Sequence, residues 1–157
     1  MVEIDLEVLV EAISPEGLDA EQLGSLVSFV VGHAGPADAR WTLAVVLTGD
    51  EQLRALHRDH MGLDTNTDVM TFPRSDDPES DGDWGGDVVV SVERAAEQGP
   101  EFGHSALQEV RFLVVHGLLH LCGWDDGTDE ARAAMLDEQT RLIGLFDGLP
   151  KSAPGAG

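Results

Sequence analysis

Residues 116–126 read HGLLHLCGWDD. His116 and His120 stand four apart in an otherwise apolar run, so on a helix both imidazoles leave the same face one turn apart. Placed like that, they can grip one divalent ion. Gly123 breaks the helix, and either Asp125 or Asp126 can turn back as a third ligand. Three protein ligands leave one tetrahedral position open, which is the arrangement of a catalytic rather than a structural zinc site. The competing reading is two histidines satisfied by hydrogen bonds inside a core. The run of acids that follows them favours metal. Gly117 stands where H-E-x-x-H peptidases carry their glutamate base. Glycine cannot do that work, which argues against peptidase chemistry of that type. It also costs a helix interior about 1 kcal/mol against alanine, so close approach of substrate or of another helix is expected there.

The elements that must hold these residues follow from periodicity. Residues 106–121 are apolar nearly all round, which marks a central, buried helix. Ser105 followed by Gln108 is a capping-box pair at its start. The segment VRFLVV within it could alternatively be a strand. A last helix is expected over 128–146, with Ala131, Met135, Leu142 and Leu145 near one face. Val2 to Val10 alternate with acids as a half-buried strand. Leu23, Leu26, Val27, Val30 and Val31 follow helical spacing up to Gly35-Pro36. Further strands are expected at 41–49, 68–72 and 86–91, and short helices at 50–61 and 92–98. Residues 74–85 read as an exposed loop. The pattern implies an α+β domain over 1–149, with a small mixed sheet packed against the central apolar helix and a flexible tail at 150–157.

Composition bounds the setting. The 157 residues suffice for one core, and the single cysteine, Cys122, excludes an internal disulfide. A reducing, cytoplasmic location is expected, and no apolar run is long enough to span a membrane. There are 30 acidic residues against 9 basic ones, a net charge of −21, and the only lysine is Lys151. A dispersed acidic surface nearly free of lysine fits a salt-rich cytoplasm, since in dilute buffer it would repel itself. Such a charge also opposes RNA binding by counterion release. In molar salt the screening length falls to about 3 Å and only contact interactions remain.

The motif resembles the signature of the YbeY family of metal-dependent endoribonucleases, H-G-x-L-H-L-x-G-Y-D-H. Here His116, Gly117, Leu119, His120, Leu121, Gly123 and Asp125 stand in register, with Trp124 at the aromatic place. TDVMTFP at 67–73 is similar to the family's T-D-V-L-S-F-P, GGDVVVS at 85–91 to its G-D-I-x-I-S, and GHS at 103–105 to its G-H-S. The resemblance covers residues 2–146. It implies a zincin-like metal helix and one Zn2+ per chain held by His116, His120 and Asp126. It also implies a single-strand-specific endoribonuclease of 16S rRNA 3′-end maturation and ribosome quality control, with ribosomal RNA and the small subunit as partners and neither DNA nor membrane. The alternatives are a zinc hydrolase of another substrate and a non-catalytic zinc protein of the ribosome.

Two positions depart from the family's pattern. Its third metal histidine falls on Asp126, a carboxylate that zinc accepts. Asp125 is the rival ligand, or supports an imidazole or caps the turn. The family's arginine falls at about Met61, which cannot stabilise phosphate. Arg58, one helical turn earlier, is the expected substitute, acting with the metal-bearing His116. His104 is a candidate for orienting a metal ligand or a phosphate. Trp84 and Trp124 read as packing residues that could also stack on a base, and Cys122 as a small buried hydrophobe.

Overall fold

A computed structural model of the chain describes residues 3–12, 14–36 and 38–149. Val2, Lys151 and the expected tail at 150–157 lie outside the described residues. In chain order the elements are β1 (Glu3–Val10), α1 (Ala20–Ala34), β2 (Arg40–Thr48), α2 (Asp50–Met61), β3 (Val69–Pro73), α3 (Pro78–Asp81), β4 (Trp84–Ser91), α4 (Val92–Gln98), a 3-10 turn (Gly99–Phe102), α5 (Ala106–Leu121) and α6 (Asp129–Asp147).

The four strands form one mixed sheet in the order β1-β2-β4-β3. β1 pairs with β2 and β2 with β4 in parallel, while β3 runs antiparallel to β4 along the far edge. Period-two alternation decides which side chains go inward. Trp41, Leu43, Val45 and Leu47 of β2 and Val88 and Val90 of β4 are buried in the main core. α1 and α5 supply the other half of that core, through Leu26, Val27, Val30, Val114 and Leu118 among others. β1 alternates half-buried apolar residues with exposed Glu3, Asp5 and Glu7, as expected for a strand with one covered face. Leu53 of α2 is fully buried.

α5 is a helix throughout, so the strand alternative for VRFLVV does not hold. Its start is the expected capping box. Ser105 Oγ accepts from the Gln108 amide at 3.1 Å, and Gln108 Oε1 accepts from the Ser105 amide at 2.8 Å. From Phe112 to His120 the helix is buried except at Phe112, His116 and His120, which are half-buried. Spacing of four puts these three on one stripe. That stripe is the one strip of this stretch of α5 that can meet a solute.

The segment 74–85 is more ordered than expected. Pro78 opens the one-turn α3, with Asp77 capping the Ser80 amide, and β4 begins at Trp84 rather than 86 because Trp84 pairs with Trp41.

Candidate metal centre

Gly117 explains why the stripe can lie so close to the sheet. A Cβ built at Gly117 would sit 2.7 Å from Val88 Cγ1 and 3.1 Å from Thr71 Cγ2. The close approach expected of this glycine is therefore to the sheet, rather than to a substrate or another helix. It presses α5 onto β4 and β3, and His116 and His120 emerge beside the β3 edge. The cleft there is lined by Asp68, Val69, Thr71, His116, Gly117, His120 and Asp126.

The helix ends as the sequence suggested. Gly123 takes φ +104°, in the left-handed region that favours glycine. The Trp124 amide then donates to the Leu119 carbonyl at 2.9 Å, folding the chain back over the last turn. This return brings Asp126 Oδ2 to 3.4 Å from His116 Nε2 and 3.5 Å from His120 Nε2. The two Nε2 atoms are 3.1 Å apart. Bond lengths near 2.0–2.1 Å in a tetrahedral site put neighbouring ligand atoms about 3.3 Å apart. Among the described residues, His116, His120 and Asp126 form the group whose ligand atoms could hold a metal ion.

The remaining ring nitrogens decide what these atoms offer. His116 Nδ1 donates to Gln139 Oε1 at 2.8 Å, and His120 Nδ1 donates to the Trp124 carbonyl at 3.1 Å. A neutral imidazole whose Nδ1 carries the proton presents a lone pair at Nε2. Two such nitrogens and a carboxylate oxygen are three acceptors facing one point, and a cation satisfies all three. Gln139 is fully buried on α6, and its Nε2 donates to the Phe112 carbonyl at 3.4 Å, which fixes the amide's orientation. Partners of this kind hold metal-binding histidines in register.

Asp125 lies outside the group. It is exposed, and its Oδ1 accepts from the Gly127 amide at 3.1 Å, so it shapes the turn before α6. His104 sits at the other end of the stripe, where its Nδ1 donates to Glu109 Oε1 at 2.7 Å. Glu109 is almost fully buried and its Oε2 also accepts from Gln98 Nε2 at 2.7 Å, while the same Nε2 donates to Asp68 Oδ2 at 3.0 Å. Arg58 is exposed near the C-terminal end of α2, paired with Asp59 at 3.2 Å, and lines neither the cleft nor the cavity beside it. Arg132 of α6 does line that cavity, together with His116. Cys122 is largely buried, and desolvation pushes its thiol up to about 12, away from the thiolate form.

Sequence reasoning passed over Glu109, Gln139 and Arg132. A carboxylate inside the apolar run of α5 was a usable signal for Glu109. Gln139 and Arg132 become visible only once α6 is docked.

A His-x3-His helix pressed against a sheet edge and closed by a carboxylate defines a class of small α+β proteins with a three-ligand metal group open on one side. The comparisons with known proteins narrow that class. The family model for endoribonuclease YbeY matches residues 13–146. Endoribonuclease YbeY of Bacillus licheniformis is 33% identical over 147 residues, covering 88% of this chain and 91% of the relative. That of Carboxydothermus hydrogenoformans is 38% identical over 117 residues, covering 74% and 78%. The solution structure of TM1509 from Thermotoga maritima matches with a TM-score of 0.58 and 25% identity over 99% of each chain. The chain belongs to the YbeY endoribonuclease family.

Proposed function

We propose that the chain is a zinc-dependent endoribonuclease that cuts single-stranded ribosomal RNA, acting in 16S 3′-end maturation and ribosome quality control on the small subunit. Family membership supports RNA as the substrate. The observation that carries the catalytic reading is the convergence of His116, His120 and Asp126 at spacings that suit a tetrahedral ion.

In this reading His116, His120 and Asp126 hold one Zn2+ per chain. When bound, such an ion polarises a phosphoryl oxygen and activates water for phosphodiester cleavage. The rest is done by the protein. Gln139 and the Trp124 carbonyl keep both Nε2 lone pairs turned to the ion. Gly117 lets α5 lie close against β3, whose Val69 and Thr71 line the cleft. Asp126, in place of a neutral imidazole, lowers the net charge of the site by one, so positive charge on the phosphate side matters more. Arg58 is the sequence-based candidate for that charge and Arg132 the one that lines the adjoining cavity. Among the described residues no helix is long and apolar enough to cross a membrane, which is compatible with the proposed cytoplasmic site of action.

The test is cleavage of a single-stranded RNA and its duplex by the full chain in molar potassium chloride, with the metal removed and then restored. Zinc-dependent cutting of the single strand, lost in His116→Ala and His120→Ala, is the expected outcome. No cleavage with zinc, manganese or magnesium would overturn the proposal.

A further inference from the structure

Beside the metal group lies a second, larger space of about 470 Å3, and its lining shares Asp68, Val69 and His116 with the ligand cleft. That volume is within the roughly 300–1,000 Å3 of small-molecule pockets. Phe112 and Leu113 of α5, Val69 of β3 and Leu136 of α6 make its walls apolar. Phe102, at the end of the 3-10 turn, also lines it and is 65% exposed. A phenylalanine left that open beside a cavity is an unpaired aromatic face.

The polar side chains along this space have an uneven balance of hydrogen-bonding capacity. Gln98 spends its Nε2 on Asp68 and Glu109, and His104 spends its Nδ1–H on Glu109. Gln139 spends its Nε2 on the Phe112 carbonyl and its Oε1 on His116. What this set has left to offer is mostly acceptors, the Asp68 carboxylate, Gln98 Oε1 and His104 Nε2, against one remaining N–H of the fully buried Gln139. Arg132 adds donors at the rim: its side chain is 60% exposed, and beyond its 3.7 Å ion pair with Asp129 its guanidinium keeps N–H groups to spare. It can meet a phosphate outside while a planar group sits inside.

We propose that this cavity is a nucleobase subsite next to the scissile phosphate. It would seat an unstacked base against Phe102 and favour bases with amino donors, adenine, cytosine and guanine, over uracil. The assignment rests on the endoribonuclease reading of the adjoining metal group for its link to cleavage, but base binding itself needs no cleavage. Shared lining residues put the two spaces side by side, so a nucleotide whose phosphate reaches the ligand cleft has its base within reach of the cavity. The chain's charge favours the same answer. With net charge −21, affinity cannot come chiefly from phosphate contacts, whereas base–aromatic stacking is tolerant of sequence and needs no basic surface. The half-buried acceptors then discriminate, because adenine, cytosine and guanine each bring an exocyclic amino group with two N–H donors, whereas uracil brings two carbonyls and a single N3–H.

The test uses the zinc-loaded full chain and 2-aminopurine riboside 5′-monophosphate, whose fluorescence is quenched on stacking. Quenching should saturate, and Phe102→Ala should weaken binding about tenfold while zinc content stays at the parent's level. Leu136→Trp, which fills the cavity's side, should abolish it. AMP, CMP and GMP should displace the probe at concentrations roughly tenfold below UMP. Binding that is unchanged in both variants, or UMP competing as well as the others, would overturn the subsite. If the probe binds as expected while RNA is left uncut, the subsite stands and the nuclease reading falls. If RNA is cut and the variants bind the probe like the parent, the nuclease reading stands and the subsite falls.

Discussion

Gln139 Oε1 lies 2.8 Å from His116 Nδ1, joining the middle of α6 to the first histidine of the metal helix. His120 has no equivalent side chain and relies on the Trp124 carbonyl. Support for the two imidazoles is therefore unequal: one partner can be removed by substitution and the other cannot. Gln139→Leu should lower zinc affinity about 10–100-fold, read by competition with a chelator of known affinity. A zinc affinity equal to the parent's would mean that packing alone orients His116.

Asp126 and Asp125 are adjacent and have different work. Asp126→Ala should lose bound zinc, as should His116→Ala and His120→Ala. Asp125→Ala should keep it, giving up only the bond to the Gly127 amide. Asp126→His should also keep it. Elemental analysis after dialysis decides, and the reverse pattern for the two aspartates would exchange their roles.

The two arginine candidates can be separated in one assay. Arg132 lines the cavity with His116, and Arg58 pairs with Asp59 outside it. Removal of the arginine that meets the phosphate should slow RNA cleavage at least about tenfold with zinc content unchanged. From its position, Arg132→Ala should show the loss. A loss confined to Arg58→Ala would mean that substrate binding brings the end of α2 to the site, as the sequence-based substitute for Met61 requires. Arg54, held by Asp64 at 2.8 Å, serves as control.

Gly117→Ala tests the contact between α5 and the sheet. A methyl 2.7 Å from Val88 Cγ1 must move a stiff, β-branched side chain or the helix itself. Overpacking of this kind costs about 1–3 kcal/mol, set against about 1 kcal/mol of helix propensity regained. Denaturant unfolding should show a net loss of stability, and zinc affinity should fall as His116 shifts. A variant more stable than the parent would show that the strands yield.

The legible parts of the fold were those fixed by neighbours in the chain. The capping box at Ser105 and Gln108, the break at Gly123 and the ends of α1 and α6 depend on local backbone chemistry and were read correctly. The cluster of His116, His120 and Asp126 was legible because its three side chains lie within one helix and the turn after it. Gln139 and Arg132 were not, since nothing in α6 alone says which residues meet α5. The neighbour of Gly117 was misjudged for a similar reason. A missing Cβ announces a close approach but does not name what approaches. The turn of helix at Pro78–Asp81 was hidden inside a run of acids that reads equally well as loop.

Salt should matter for the whole molecule. The basis is the charge of −21, with exposed Glu3, Asp5 and Glu7 on β1 as one local concentration of it. The melting temperature should rise as potassium chloride goes from low to molar concentration, because screening relieves self-repulsion. A flat profile would show that the acids are spaced widely enough to be harmless.

The three candidate ligands all come from residues 116–126, so an ion bound there closes only a very short loop of chain. Closing so short a loop costs little entropy, but it also ties together nothing that is far apart in sequence. The sheet and the α1–α5 core are built without these three side chains, so folding is expected without the ion, unlike small zinc domains in which metal binding and folding are one event. A chain that completes its architecture first would take up a metal afterwards, and metal supply would then set how much of it is active rather than how much of it survives.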